Sequence, residues 1–119
     1  MSKYQFIISA GPENPVRATR SVMFATKAVD DGHEVSLFLV DDAVYLTNPA
    51  LTEHVRAATG DTLMQYLQVI LDQNIEVMVC LPCAKARGIN ESALPSHWRL
   101  AKGIEVIRRN EDGWNTWTF

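Results

Sequence analysis

Two cysteines stand three positions apart in the run Val79-Cys80-Leu81-Pro82-Cys83-Ala84-Lys85-Ala86-Arg87-Gly88-Ile89, and the chain has no others. The residues before them are apolar and β-rich and those after them suit a helix, which predicts a strand-to-helix junction at the pair. A thiol at such a junction faces backbone N–H groups and the positive end of a helix dipole, and both favour its thiolate. Lys85 and Arg87 would add positive charge to hold a thiolate or a persulfide. The chemistry is that of a sulfur nucleophile. Cys80 attacks from the strand end, and Cys83, about one helical turn later, is near enough to close a disulfide or share an electrophile. The plainer alternative is that both are small buried hydrophobes, as free cysteines often are.

Other residue types offer less. A structural zinc site wants four ligands, and the chain supplies neither a second C-x-x-C nor an H-x₃₋₅-H, so no metal site is expected within one chain. His33, His54 and His97 are scattered over separate elements, and their spacing assigns none of them a catalytic role. Gly11-Pro12-Glu13 matches neither a dinucleotide fingerprint nor a P-loop, and no cofactor is called for. Asp41-Asp42 at a strand end could bind a metal or orient a base, although such residues more often cap a loop. Arg17 and Arg20 read as helix decoration. Trp114, Trp117 and Phe119 read as core or subunit contacts.

The elements that must position the cysteines follow from the breakers. Tyr4–Ala10 is strand-like and ends in Gly11-Pro12-Glu13-Asn14-Pro15; Pro15–Asp31 has helical spacing; Glu34–Val40 is a nearly continuous apolar strand. Residues 41–60 are polar and irregular, with a short helix possible from Asn48 to Ala58, and read as the mobile or partner-facing stretch. Asp61-Thr62 caps a helix that ends near Asn74, and Ile75–Cys80 is the third strand. A short helix over Ala84–Gly88, another between Glu91 and Lys102, a strand at Ile104–Ile107 and a last strand at Trp114–Phe119 complete the chain. Asp112-Gly113 offers a hairpin turn between those two strands. This alternation predicts one domain, residues 1–119, built as a three-layer α/β/α sandwich with a mostly parallel sheet. Ligands of such folds bind at the carboxyl ends of the strands, where Gly11, Asp42 and Cys80 all fall.

At 119 residues the chain suffices for one core, and a net charge of −3 removes the electrostatic basis of a nucleic-acid binder. No apolar stretch approaches the ~20 residues of a membrane helix. The opening Met1-Ser2-Lys3-Tyr4-Gln5-Phe6 lacks a secretory apolar core, so a cytoplasmic setting with reduced or redox-active thiols is expected.

The cysteine segment resembles the active-site region of the DsrE/DsrF-like family, as do Gly11-x-Glu13-x-Pro15-x-Arg17-Ala18 and the stretch from Gly32 through Val35, Leu39 and Asp42 to Val44. The resemblance spans nearly the whole chain. It implies a sandwich of the flavodoxin-like topology class and a small protein that carries sulfur as a cysteine persulfide, in a trimer or hexamer with the cysteine near a subunit boundary. The family's sulfur-accepting cysteine corresponds to Cys80, eight positions before Gly88. Cys83 stands where several relatives have a small residue without a thiol, which implies a resolving or auxiliary role. The expected function is therefore sulfur relay through Cys80 with a protein donor or acceptor. Lys85 and Arg87 would stabilise the sulfur, and Gly11 and Asp42 would shape the crevice. A dithiol oxidoreductase or a non-catalytic oligomeric binding module are the alternatives.

Overall fold

Caps and breakers set the first boundaries. Asn14 Oδ1 accepts the N–H of Arg17 at 3.2 Å and Pro15 occupies the first turn, so a helix starts there. Further on, Thr62 Oγ1 accepts the N–H of Gln65 at 3.3 Å while Gln65 Oε1 accepts the N–H of Thr62 at 2.9 Å, a reciprocal capping box. The computed structural model describes residues 1–119. The chain runs β1 (Lys3–Ile8), α1 (Pro15–Asp30), β2 (Glu34–Leu39), a 3-10 segment (Asp41–Thr47), α2 (Pro49–Thr52), α3 (Leu63–Asp72) and β3 (Glu76–Cys80). It continues through α4 (Leu81–Ala86), a 3-10 turn (Glu91–Ala93), β4 (Trp98–Ala101), α5 (Ile104–Glu111) and β5 (Asn115–Thr118).

All five strands are parallel, in the order β4-β3-β2-β1-β5. The chain steps outward from β1 to β4 and then returns to the far side of β1. Right-handed crossovers therefore put α1 and α3 on one face of the sheet and α5 on the other. The packing agrees. Phe6, Ile8, Leu37, Leu39, Val77 and Val79 meet Ala18, Val22 and Ala25 of α1 and Leu63, Leu67 and Ile70 of α3. On the opposite face a small cluster joins Phe38, Met78, Cys80 and Ala101 to Val106 of α5.

That second face is held as much by charge as by apolar burial. Glu76, on β3, accepts from Arg109 of α5 at 3.1 Å and from Ser36 at 2.9 Å, and pairs with Arg99 at 3.4 Å. Arg99 also reaches Glu105 at 2.9 Å. Arg109 holds the Glu76 carboxyl below its ordinary range, with Ser36 and Arg99 helping and partial burial opposing. Gln5, fully buried on the same face, donates from Nε2 to the carbonyl of Val106 at 3.0 Å.

The C-terminal third departs from the sequence expectation. Ile104–Ile107 is the start of helix α5, not a strand. Parallel neighbours need a crossover, and this segment supplies it between β4 and β5. No hairpin forms at Asp112-Gly113, because β5 pairs in parallel with β1, Phe6 opposite Trp117. The helix expected between Glu91 and Lys102 is a 3-10 turn followed by β4, and α4 begins at Leu81 rather than Ala84.

Candidate functional site

The carboxyl ends of β1, β2 and β3 are tied together by short-range contacts. After β1, the Gly11 N–H donates to Glu13 Oε1 at 2.6 Å. Its Cα lies so close to the chain after β2 that a side-chain Cβ there would stand 2.1 Å from the Asp42 carbonyl oxygen. Only glycine permits that approach. After β3, Arg87 donates from Nε to Asp42 Oδ1 at 3.0 Å and from Nη1 to the Cys83 carbonyl at 3.3 Å. Asp42 thus links all three strand ends, and its hydrogen bond raises the Arg87 guanidinium above its ordinary value.

Cys80 ends β3 and occupies the N-cap position of α4, with φ −55° and ψ 120°. It is buried, whereas Cys83 is half-exposed. Cys83 Sγ lies 3.8 Å from Asp41 Oδ1. Asp41 is one of three non-glycine residues with positive φ, at 53°. The lowered thiol expected at Cys80 is not what the geometry produces. Burial pushes the Cys80 thiol up, and the hydrogen bond with Cys83 and the nearby Asp41 charge add to this; the Cys83 N–H pulls the other way without closing a capping bond. Arg87, expected to face the sulfur, is engaged by Asp42, and Lys85 is exposed and makes no ion pair.

The pair thus combines a buried thiol, Cys80, with a half-exposed one, Cys83. Beside it, Pro12, Glu13, Asp42, Tyr45 and Leu51 line an open groove of about 360 Å³. No three His, Cys, Asp or Glu side chains converge as a metal site would require. The remaining candidates lie elsewhere. His33 is packed between Ser2 and Asp31, and His54 and His97 are exposed. Arg20 pairs with Asp61 at 3.0 Å, and Trp117 packs on Phe24 with ring centroids 5.8 Å apart. Asp41 was visible in the sequence only as half of an acidic pair. Its left-handed backbone and its contact with Cys83 are consequences of the fold.

Known proteins fit this architecture. A model of the DsrE/DsrF-like family matches residues 2–119. The chain belongs to that family. Among DsrE/DsrF-like relatives, the uncharacterized protein MK0008 of Methanopyrus kandleri is 34% identical over 104 residues, covering 85% of this chain and 80% of its own. The uncharacterized protein MJ0989 of Methanocaldococcus jannaschii is 29% identical over 117 residues, 98% of this chain and 99% of its own. The crystal structure of the YchN protein of E. coli superposes with a TM-score of 0.79 at 21% identity, both chains fully covered. MTH1491 from Methanobacterium thermoautotrophicum gives 0.75 at 12%, again over both whole chains. These structures share the fold, and the family is one related to sulfur relay. No helix is long and apolar enough to cross a membrane.

Proposed function

We propose that this DsrE/DsrF-like protein is a sulfur carrier in which Cys80 takes sulfane sulfur from a donor persulfide and passes it to a partner. The observation that supports this best is the position of Cys80 at the carboxyl end of a central parallel strand, at the N-cap of a helix, with a second thiol in that helix's first turn. In the loading step the Cys80 thiolate attacks the outer sulfur of a donor persulfide. A new S–S bond forms on Cys80, the donor's own S–S bond breaks, and the donor leaves as a thiolate. Delivery repeats this exchange with Cys80 as the donor, so no external oxidant or reductant is needed. Gly11 and Asp42 shape the crevice, Arg87 fixes its wall, and Lys85, exposed two residues after Cys83, adds positive charge. A reducing, cytoplasmic compartment would keep both thiols open between cycles.

A homo-oligomer, trimer or hexamer, belongs to the same proposal. Ile104 and Ile107 of α5 are 48% and 56% exposed, which is apolar surface suited to a subunit contact. Ile107→Glu should lower the mass measured by light scattering; an unchanged mass would remove this surface from the contact.

Two free thiols three residues apart also favour a second reading, a dithiol oxidoreductase that cycles between the open pair and a Cys80–Cys83 disulfide. Intact-protein mass spectrometry after exposure to a sulfane-sulfur donor separates the two. Adducts of about 32 Da per sulfur atom that vanish in Cys80→Ser support the carrier. Loading of Cys80→Ser at wild-type level sinks the carrier, and a loss of two hydrogens that needs both cysteines, without adducts, moves the function to electron transfer.

A further inference from the structure

The contact between Cys83 and Asp41 has a use once Cys80 carries sulfur. We propose that Asp41 is the proton acceptor for Cys83 in a resolving step that releases the sulfur of Cys80 as hydrogen sulfide. The inference rests on the persulfide reading of Cys80 and extends it to a second residue and a second product.

Three features of the geometry carry it. Asp41 Oδ1 lies 3.8 Å from Cys83 Sγ, within hydrogen-bonding range for a thiol, and Cys83 is the only side chain that donates to it. The neighbouring carboxylate, Asp42, is paired with Arg87 and accepts from neither thiol. The backbone of Asp41 is held at φ 53°. Among residues with a side chain, aspartate and asparagine tolerate that conformation best. The next residue, Asp42, is fixed by the close approach of Gly11 to its carbonyl and by Arg87 at its carboxylate. Asp41 is also exposed, so a proton it accepts can pass to solvent.

The step balances within the site. With Cys80 as a persulfide, Cys83 Sγ attacks Cys80 Sγ while its proton moves to the Asp41 carboxylate. The Cys80–Cys83 S–S bond forms and the bond from Cys80 Sγ to the outer sulfur breaks. That sulfur leaves with the electron pair as hydrosulfide and takes up a proton to become hydrogen sulfide. The Cys83 sulfur is oxidised and the outer sulfur is reduced, so nothing further is consumed. A later reduction of the disulfide by a thiol would reset the pair.

The test loads wild type, Asp41→Asn, Asp41→Gly and Cys83→Ser with inorganic polysulfide, removes the excess, and times sulfide release and disulfide formation by mass spectrometry. Asparagine and glycine both tolerate a left-handed backbone, so neither variant should disturb the loop. Release is counted per loaded Cys80, because removing the Asp41 charge or the Cys83 thiol also changes the acidity of Cys80 and with it the loading rate. Release should be absent in Cys83→Ser and about 10²-fold slower in both Asp41 variants, the usual loss for a missing general base. Added formate, which can enter the space left by Asp41→Gly, should restore much of that rate. Release at wild-type rate from Asp41→Asn overturns the assignment, and so does a slow Asp41→Gly that formate leaves slow, since the carboxylate would then be structural. Failure of the wild type to load is a different result. It removes the carrier function itself and this step with it.

Discussion

Replacing Gly11 with alanine should damage the protein out of proportion to one methyl group. Its Cβ would stand 2.1 Å from the Asp42 carbonyl oxygen, 2.9 Å from the carbonyl carbon and 3.2 Å from Glu13 Oε1. Ordinary contact begins near 3.4 Å, so the two chain segments must separate by roughly 1.3 Å, and the two nearest obstructing atoms are backbone that no rotamer change can move. Overpacking of this kind costs about 1–3 kcal/mol. The smaller conformational freedom of alanine in the unfolded chain returns about 0.4–1 kcal/mol. Because Asp42 is pinned by Arg87 and flanked by the left-handed Asp41, the clash should fall at the upper end, leaving a net loss of about 2 kcal/mol. At about 4 °C per kcal/mol for a domain of this size, the melting temperature should drop by about 8 °C. Gly103 is the control: it has helical backbone and nothing within 4 Å of an added Cβ, so Gly103→Ala should melt at or slightly above wild type. Thermal melts of the two variants, with urea titrations to show an unchanged m-value, decide the matter. A Gly11→Ala protein melting within about 2 °C of wild type would refute the argument that this contact clamps the site.

Two further perturbations probe charge and acidity. Glu76→Gln should cost about 1–2 kcal/mol at neutral pH, discounted because the carboxylate is partly solvated, and less in high salt. The folded-state value of Glu76 is depressed, so its contribution is complete above the unfolded value of about 4.3 and is lost as pH falls through the folded one. The acid limb of the wild-type stability curve should therefore flatten in the variant, and urea melts from pH 7 to pH 3 would show it; parallel limbs would contradict the ion-pair account. In Cys83→Ser, iodoacetamide should modify Cys80 with a pH midpoint above the ~8.5 of a free thiol, because burial is the largest cause of its upward shift. A midpoint near neutrality would mean that the helix start, rather than burial, governs this thiol.

Much of the fold was legible because the first two-thirds of the chain punctuates itself. The Asn14-Pro15 and Thr62-to-Gln65 caps and the near-continuous apolar runs of β2 and β3 state their roles locally. The C-terminal third does not. Ile104-Glu105-Val106-Ile107 has the β-branched content of a strand, yet tertiary contacts make it a helix: Val106 enters the small core while Glu105 and Arg109 engage Arg99 and Glu76. The strand Trp98–Ala101 does carry a period-two signal. Trp98 and Leu100 join the larger core and Ala101 the smaller one, and four residues at a sheet edge are too few for that pattern to stand out. At the site, the cysteine pair, Gly11 and Asp42 were readable from their places at strand ends. The acidity of Cys80 was not, since it depends on what buries the thiol, and Arg87 could not be seen in advance to spend its charge on Asp42.

The unequal faces of the sheet have one more consequence. Cys80 lies in the smaller cluster, paired across the sheet with Ala101 and sharing that cluster with Val106 of α5, a two-turn helix fastened largely by the Glu76–Arg109 and Arg99–Glu105 pairs. A unit with so little apolar anchoring opens more often than the molecule as a whole unfolds. Each opening of α5 withdraws Val106 from the cluster that holds Cys80, so the labelling rate of Cys80 should report the breathing of the β4–α5 end of the domain. Salt at fixed pH, by loosening the fastening charges, should quicken that clock before the core beneath α1 and α3 responds.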